Sequence, residues 1–233
     1  MKFESTLAKK ITSKRNGKRS WLVYAGLVGA VFLVLNLNAI SIAEPQAVIH
    51  MGSRGAVAKY LGQFDGIQSV MMLGATSSED WICIKVPFKG RIGDLSSISF
   101  SEFVIQTGGS DSLEPYVVLK LSQGMCLICK PSYSYDTGVW DLPFSEWQSR
   151  DTVTKGKWSY AAEDTRVQIV SLETWVATIG NRQVTSVCVY MGNWDLSSPY
   201  QCYIGGLAIN EKPIDLANAV KITGSKIDLP PGF

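Results

Sequence analysis

The stretch VTSVCVYMGNWDLSSPYQCYIGGLAIN, from Val184 to Asn210, decides how this chain folds. Val184 to Met191 and Tyr200 to Ile209 are rich in β-branched and aromatic residues, which fit a pleated sheet better than a helix. A polar loop with Gly192, Asn193, Asp195 and Pro199 separates them. Val187, Val189 and Met191 alternate with Ser186, Cys188 and Tyr190, the period of two that a strand requires. In the second strand Tyr203 and Gly205 oppose Cys202, Ile204 and Gly206.

Outward from this pair the same grammar repeats. Phe64-Asp65-Gly66 is a turn signal, and strands are expected at Gln68 to Leu73, Trp81 to Phe88, Ile98 to Thr107, Tyr116 to Leu121, Met125 to Cys129 and Arg166 to Ser171. Pro131 to Gly156 reads as a long aromatic loop, Leu172 to Ile179 as a short helix ended by Gly180 and Asn181, and Ala47 to Gly62 as a short strand or a linker. Short strands with turn chemistry between them predict an all-β antiparallel sandwich or barrel. Residues 44–233 lack the long crossover helices that a parallel sheet needs.

The N-terminal part is of another kind. Residues 1–20 are basic, with seven Lys and Arg against Glu4. Trp21 to Ile42 is a run of 22 residues without charge. As a helix at ~1.5 Å per residue it reaches ~33 Å, enough for a bilayer core of ~30 Å. The basic flank keeps the N-terminus cytoplasmic and sends the rest outside. Ser41-Ile42-Ala43 offers small residues to a signal peptidase, so 21–43 is either a cleaved signal peptide or a retained membrane anchor. In both cases the remainder is expected on the extracellular face of the cell membrane, or secreted. The expected organisation is then 44–63 as linker or first strand, 64–210 as the sandwich, and 211–233 as a C-terminal strand or tail.

Charge excludes one class of partner. The whole chain carries +2, of which residues 1–19 contribute +6, so the body is mildly acidic. Nucleic acid requires a basic face to neutralise phosphates, and none is expected here.

Several stretches then resemble a known family. Asp65-Gly66-Ile67-Gln68-Ser69-Val70-Met71-Met72-Leu73 resembles the strand that opens many jelly-roll carbohydrate-binding modules, and Tyr203 to Asn210, YIGGLAIN, resembles their closing strand. Ser96 to Phe100, Tyr116 to Leu121, Thr174-Trp175 and Val184 to Val187 fall between them in the expected order. The resemblance implies a jelly-roll β-sandwich that binds a glycan or a cell-envelope polymer without catalysing a reaction. A structural calcium ion is common in that family, but its acidic residues in the last strand are replaced here by Gly205 and Gly206.

Aromatic residues are the candidate ligand contacts, because an indole or phenol plane stacks against the C–H face of a sugar while polar neighbours take its hydroxyls. Tyr133, Tyr135, Trp140 and Trp147 lie in the long loop, and Trp194 in the loop of the organising stretch. Trp81, Trp158 and Trp175 sit in or beside apolar elements and are expected to be buried.

Five cysteines are present, of which Cys188 and Cys202 flank the organising loop and form a disulfide candidate if their strands pair. His50 is the only histidine, which removes most Ser-His-Asp and Cys-His schemes and leaves Cys126-x-x-Cys129 without a zinc partner set. Glu102, Glu114, Asp136, Asp141, Glu146 and Asp151 are the carboxylates formally available to a glycosidase. A second reading makes the chain a structural surface subunit that self-associates by strand complementation, with Gln46 to Tyr60 or Lys221 to Phe233 as the donor.

Overall fold

The computed structural model describes residues 46–52, 57–74, 80–107, 115–130, 146–161, 168–192 and 199–224. They form β1 (Val48–Met51), β2 (Val57–Phe64), β3 (Ile67–Gly74), β4 (Trp81–Arg91), β5 (Ile98–Thr107), β6 (Tyr116–Leu121) and β7 (Cys126–Cys129). There follow β8 (Gln148–Asp151), β9 (Lys157–Ala161), β10 (Ile169–Ser171), helix α1 (Leu172–Ile179), β11 (Gln183–Gly192), β12 (Tyr200–Ile209), β13 (Lys212–Pro213) and β14 (Val220–Thr223). The predicted segment 21–43 lies outside the described residues, and among those no helix is long and apolar enough to cross a membrane.

Two sheets face each other. One has eight strands in the order β10-β9-β7-β6-β11-β4-β1-β14, and the other runs β2-β3-β12-β5-β8 with β13 hydrogen-bonded to β12. Successive strands β3 to β6 pass back and forth between the sheets, as do β11 and β12. The core lies between them, with Val70, Met72, Ile98, Phe100, Ile204 and Leu207 from one side meeting Ile82, Ile84, Val117, Leu119, Val187 and Val189 from the other. Each such side chain, fully withdrawn from water, contributes ~1.5–3 kcal/mol, so a core of this size can offset the ordering of the chain.

The all-β sandwich is as expected, with two corrections, to the pairing and to the long loop. The pairing is not wholly antiparallel, because β14 runs parallel to β1, with Val48 opposite Val220 and Met51 opposite Thr223. Beyond 64–210, β1 and β2 arise from the stretch read as linker or first strand, and β14 from the stretch read as C-terminal strand or tail. Finally, the stretch read as one loop from Pro131 to Gly156 contains β8, whose sequence QSRD carries no strand signal of its own. It forms because Phe100 and Ser101 of β5 pair with Arg150 and Ser149.

The organising pair behaves as its alternation requires, with one interruption. In β11 Val187, Val189 and Met191 face the main core, while Cys188 and Tyr190 face the other side of the sheet. In β12 Cys202 and Ile204 face the core, but so do Leu207 and Ile209. A bulge between Gly205 and Ala208 opposite β5 resets the phase there, and Gly206 takes a φ of 59°, where a side chain would be strained. The Asp65-Gly66 turn closes the β2–β3 hairpin with both residues at positive φ.

Helix α1 starts where Ser171 accepts a hydrogen bond from the Thr174 amide, and buries Leu172 and Trp175 on one side. The glycine at its end, Gly180, is not there to supply a left-handed turn. Gly180 is right-handed, and a Cβ there would stand 2.2 Å from the Val176 carbonyl oxygen.

Candidate functional site

Alternation along β5 sends Ile98, Phe100, Glu102 and Val104 inward and leaves Phe103 and Ile105 on the outer face. Tyr203, directly opposite Phe103 in the register with β12, shares that face. Phe64 enters from the β2–β3 hairpin and stacks on Tyr203, with centroids 4.2 Å apart and planes 22° apart. Gly205 makes room nearby, since a Cβ there would lie 2.5 Å from Ile67 Cγ2 and 2.7 Å from the Gln68 carbonyl oxygen.

Trp147 completes the group. It immediately precedes β8, and the pairing of Gln148 with Glu102 sets it beside Phe103. Its ring lies 5.7 Å from Phe103 and 5.9 Å from Phe64. Phe64 and Phe103 meet edge to face at 5.1 Å. Four mutually braced rings, three of them half-buried, thus form a patch on the outer face of the six-stranded sheet. Exposed Ile105 extends it, and Gln63, Gln68 and Glu146 are exposed polar residues close to it in sequence. The indole nitrogen of Trp147 is buried without a hydrogen-bond partner among the described residues. Such a patch offers aromatic planes with amide and carboxylate groups around them, which suits an amphipathic ring more than an ion.

Of the five sequence-predicted ligand residues, Trp147 is in this patch. Tyr133, Tyr135, Trp140 and Trp194 lie outside the described residues. Phe64, Phe103 and Tyr203 were not singled out from sequence. Trp81, Trp158 and Trp175 are buried, as expected. Trp158 donates to the Thr152 carbonyl at 2.9 Å, and Trp175 to the Trp158 carbonyl at 3.0 Å.

The disulfide candidate is corrected. Cys188 and Cys202 sit in different sheets, Cys188 on the far face of the eight-stranded sheet and Cys202 between the sheets with its Sγ 3.0 Å from Met191 Sδ. No cysteine is in a disulfide.

The carboxylates do not assemble into a reacting pair among the described residues. Glu102 is fully buried in the interior, where Arg150 donates to it through Nε at 2.7 Å and through Nη2. Asp151 holds the turn after β8 by accepting from the amides of Val153 and Thr154. Glu114, Asp136 and Asp141 lie outside the described residues.

Calcium does not fit where the resemblance would put it. Gly205 and Gly206 present no carboxylate, the crowding at Gly205 bars one, and no three acidic, histidine or cysteine side chains cluster among the described residues. A shallow depression of about 550 Å³ at the end of α1, lined by Arg91, Asp94, Asn181 and Arg182, brings together none of the predicted ligand residues.

The chain is similar in structure to the family 11 carbohydrate-binding module of the cellulosomal cellulase Lic26A-Cel5E of Clostridium thermocellum. That match has a TM-score of 0.42 at 10% identity and covers 72% of this chain and 89% of the module. It is also similar to the family 11 module from Clostridium thermocellum in complex with a β-1,3-1,4-mixed-linked tetrasaccharide, with a TM-score of 0.41 at 11% identity, covering 78% and 94%. No protein-family model and no curated protein matches the sequence.

Proposed function

We propose that this protein is a non-catalytic glycan-binding module that contacts sugar rings through the patch of Phe64, Phe103, Trp147 and Tyr203. The observation that carries this reading is the bracing of Trp147 by Phe64 and Phe103 at an open sheet face. Rings held in place by one another lose little freedom when a ligand arrives, so stacking energy is not spent on ordering them. Tyr133, Tyr135, Trp140 and Trp194 supply further contacts in this reading. Residues 21–43 display the module outside the membrane or direct its secretion.

The test is retention of the full chain on a panel of immobilised neutral and acidic polysaccharides. Trp147→Ala should weaken binding to a retained glycan about 30-fold, the cost of losing a central aromatic anchor of ~2 kcal/mol. Unchanged retention by a variant that keeps its circular dichroism would remove the patch from the site.

A second reading, assembly through strand addition, is favoured by β14. It is the outer strand of its sheet, with Val220 and Ile222 exposed at 44% and 42%. The Gln46–Tyr60 donor is less well supported, since β1 already pairs with β4 and β14 of its own chain. Size-exclusion chromatography of a variant with Val220→Lys and Ile222→Lys decides this reading: an oligomer that becomes monomeric supports it, and a wild-type monomer ends it.

A further inference from the structure

Among the described residues β14 is the outermost strand of the eight-stranded sheet, and every residue in it is exposed. It runs parallel to β1, and the Val220 amide donates to the Ala47 carbonyl at 3.0 Å. Backbone groups of successive strand residues point to opposite sides. Val220 and Ile222 therefore turn their amides and carbonyls towards β1, whereas Lys221 and Thr223 turn theirs away from the sheet. The side chains alternate as well. Val220 and Ile222 lie level with Val48 and His50, on the face turned away from the core, and Lys221 and Thr223 lie on the other face.

The chain then leaves β14 in a way that fits a reversal. Gly224 has a φ of 72°, while Thr223 is still part of the strand. Positive φ at the first of two central residues marks the type II′ turn, which joins antiparallel strands through two residues. Gly224-Ser225 is a pair that such turns favour. Residues 225–233 lie outside the described residues, but their sequence continues the pattern. Lys226-Ile227-Asp228-Leu229 alternates charged and apolar residues, and Pro230-Pro231 ends any further pairing.

We propose that Lys226 to Leu229 folds back on the outer edge of β14 as an antiparallel strand and guards that edge against a second copy of the chain. A two-residue turn fixes the register. Thr223 falls opposite Lys226, Ile222 opposite Ile227, Lys221 opposite Asp228 and Val220 opposite Leu229. The residues flanking such a turn exchange both backbone hydrogen bonds, and so does every second pair beyond them. Those pairs are Thr223 with Lys226 and Lys221 with Asp228. They use the two β14 residues whose backbone groups point outward. The side chains agree. Ile227 and Leu229 fall beside Ile222 and Val220 on one face, and Asp228 meets Lys221 on the other. A slip of one residue would lose all of these matches.

An open edge with exposed apolar residues is a template for another chain. A segment tethered by two residues closes its loop at little entropic cost and competes well against a separate molecule. The inference goes beyond both readings above: the aromatic patch is on the other sheet, and assembly through β14 would have to displace this strand.

The test is amide hydrogen exchange on the full-length protein, read on peptides covering residues 217–233, together with size-exclusion chromatography. The expected result is a monomer in which the amides of 226–229 exchange about tenfold or more slower than in the free peptide, equivalent to ~1.4 kcal/mol. Asp228→Lys sets like charges opposite each other and should restore fast exchange, and adding Lys221→Asp should slow it again. A chain ending at Gly224 should self-associate. The pairing is overturned by unprotected 226–229 amides in the wild type or by a charge swap that recovers no protection. It is overturned equally by a full-length oligomer with β14 protected and 226–229 exchanging freely, which would make a second copy the occupant. A truncated chain that stays monomeric removes the guarding role. The wild-type exchange map decides the pairing whether or not a variant folds.

Discussion

Arg150→Met should be the most damaging conservative change in this sandwich. Glu102 is 0% exposed and Arg150 is 2% exposed, so the pair sits in the interior instead of at the rim. At the 2.7 Å between Arg150 Nε and Glu102 Oε1, an effective dielectric of ~20 gives an attraction of ~6 kcal/mol. Withdrawing each ion from water costs several kcal/mol, so the pair as a whole comes close to balance. Removing Arg150 alone leaves the desolvation of Glu102 without that attraction, and the expected loss is ~3–5 kcal/mol. That is a large share of the ~5–15 kcal/mol that holds a domain together. Glu102→Leu combined with Arg150→Met should recover most of the loss, because two apolar chains of similar size then fill the space. Urea unfolding of the wild type, both single variants and the double gives a full cycle. The reasoning fails if Arg150→Met costs under ~1 kcal/mol, or if the double variant loses the sum of the singles.

Gly205→Asp, which restores the acidic residue of the resembled family, should destabilise by ~1–3 kcal/mol through overpacking against Ile67 and the Gln68 carbonyl, read as a lower urea midpoint with no rescue by calcium. Tyr116, almost fully buried, has its hydroxyl pKa raised chiefly by that burial, with Cys83 and Cys188 adding to it. Its contribution is complete below the unfolded value of ~10 and is lost above it, at ~1.4 kcal/mol per pH unit. Alkaline unfolding followed from pH 9 to 12 should therefore flatten in Tyr116→Phe. Trp140→Ala with Trp194→Ala should lower glycan retention while leaving the thermal midpoint nearly unchanged; a variant that fails to fold would put those rings in a core.

The strands legible in the sequence were those whose pattern is local. Trp81 to Phe88, Ile98 to Thr107, Tyr116 to Leu121 and the pair flanking the organising loop carry enough β-branched and aromatic residues to declare themselves, and Asp65-Gly66 dictates its own turn. β8 did not, because Gln148–Asp151 is polar and is a strand only by pairing with β5 around the buried Glu102–Arg150 contact. β14 is exposed at every position and takes its order from β1. The patch was legible only at Trp147. Phe64 and Tyr203 meet by tertiary packing, and nothing in the local sequence of either distinguishes a surface ring from a core ring.

The two sheets also differ in what their outer faces can do. β6 and β7 are buried at every residue, and β11 is buried from Ser186 onward, so neither face of the central eight-stranded sheet is open at those strands. Their runs YVVLKL and CLIC are correspondingly almost unbroken in apolar character, the pattern of strands covered on both sides. β5 differs: Ser99, Ser101, Phe103 and Ile105 alternate with buried neighbours, giving a face that water reaches. On the first sheet Tyr116 and Tyr190, stacked at 5.7 Å, are buried by their neighbours. On the second, Phe64, Phe103 and Trp147 combine mutual bracing with partial exposure. Among the described residues the aromatic surface open to a ligand is therefore the one built on Trp147 and Phe64.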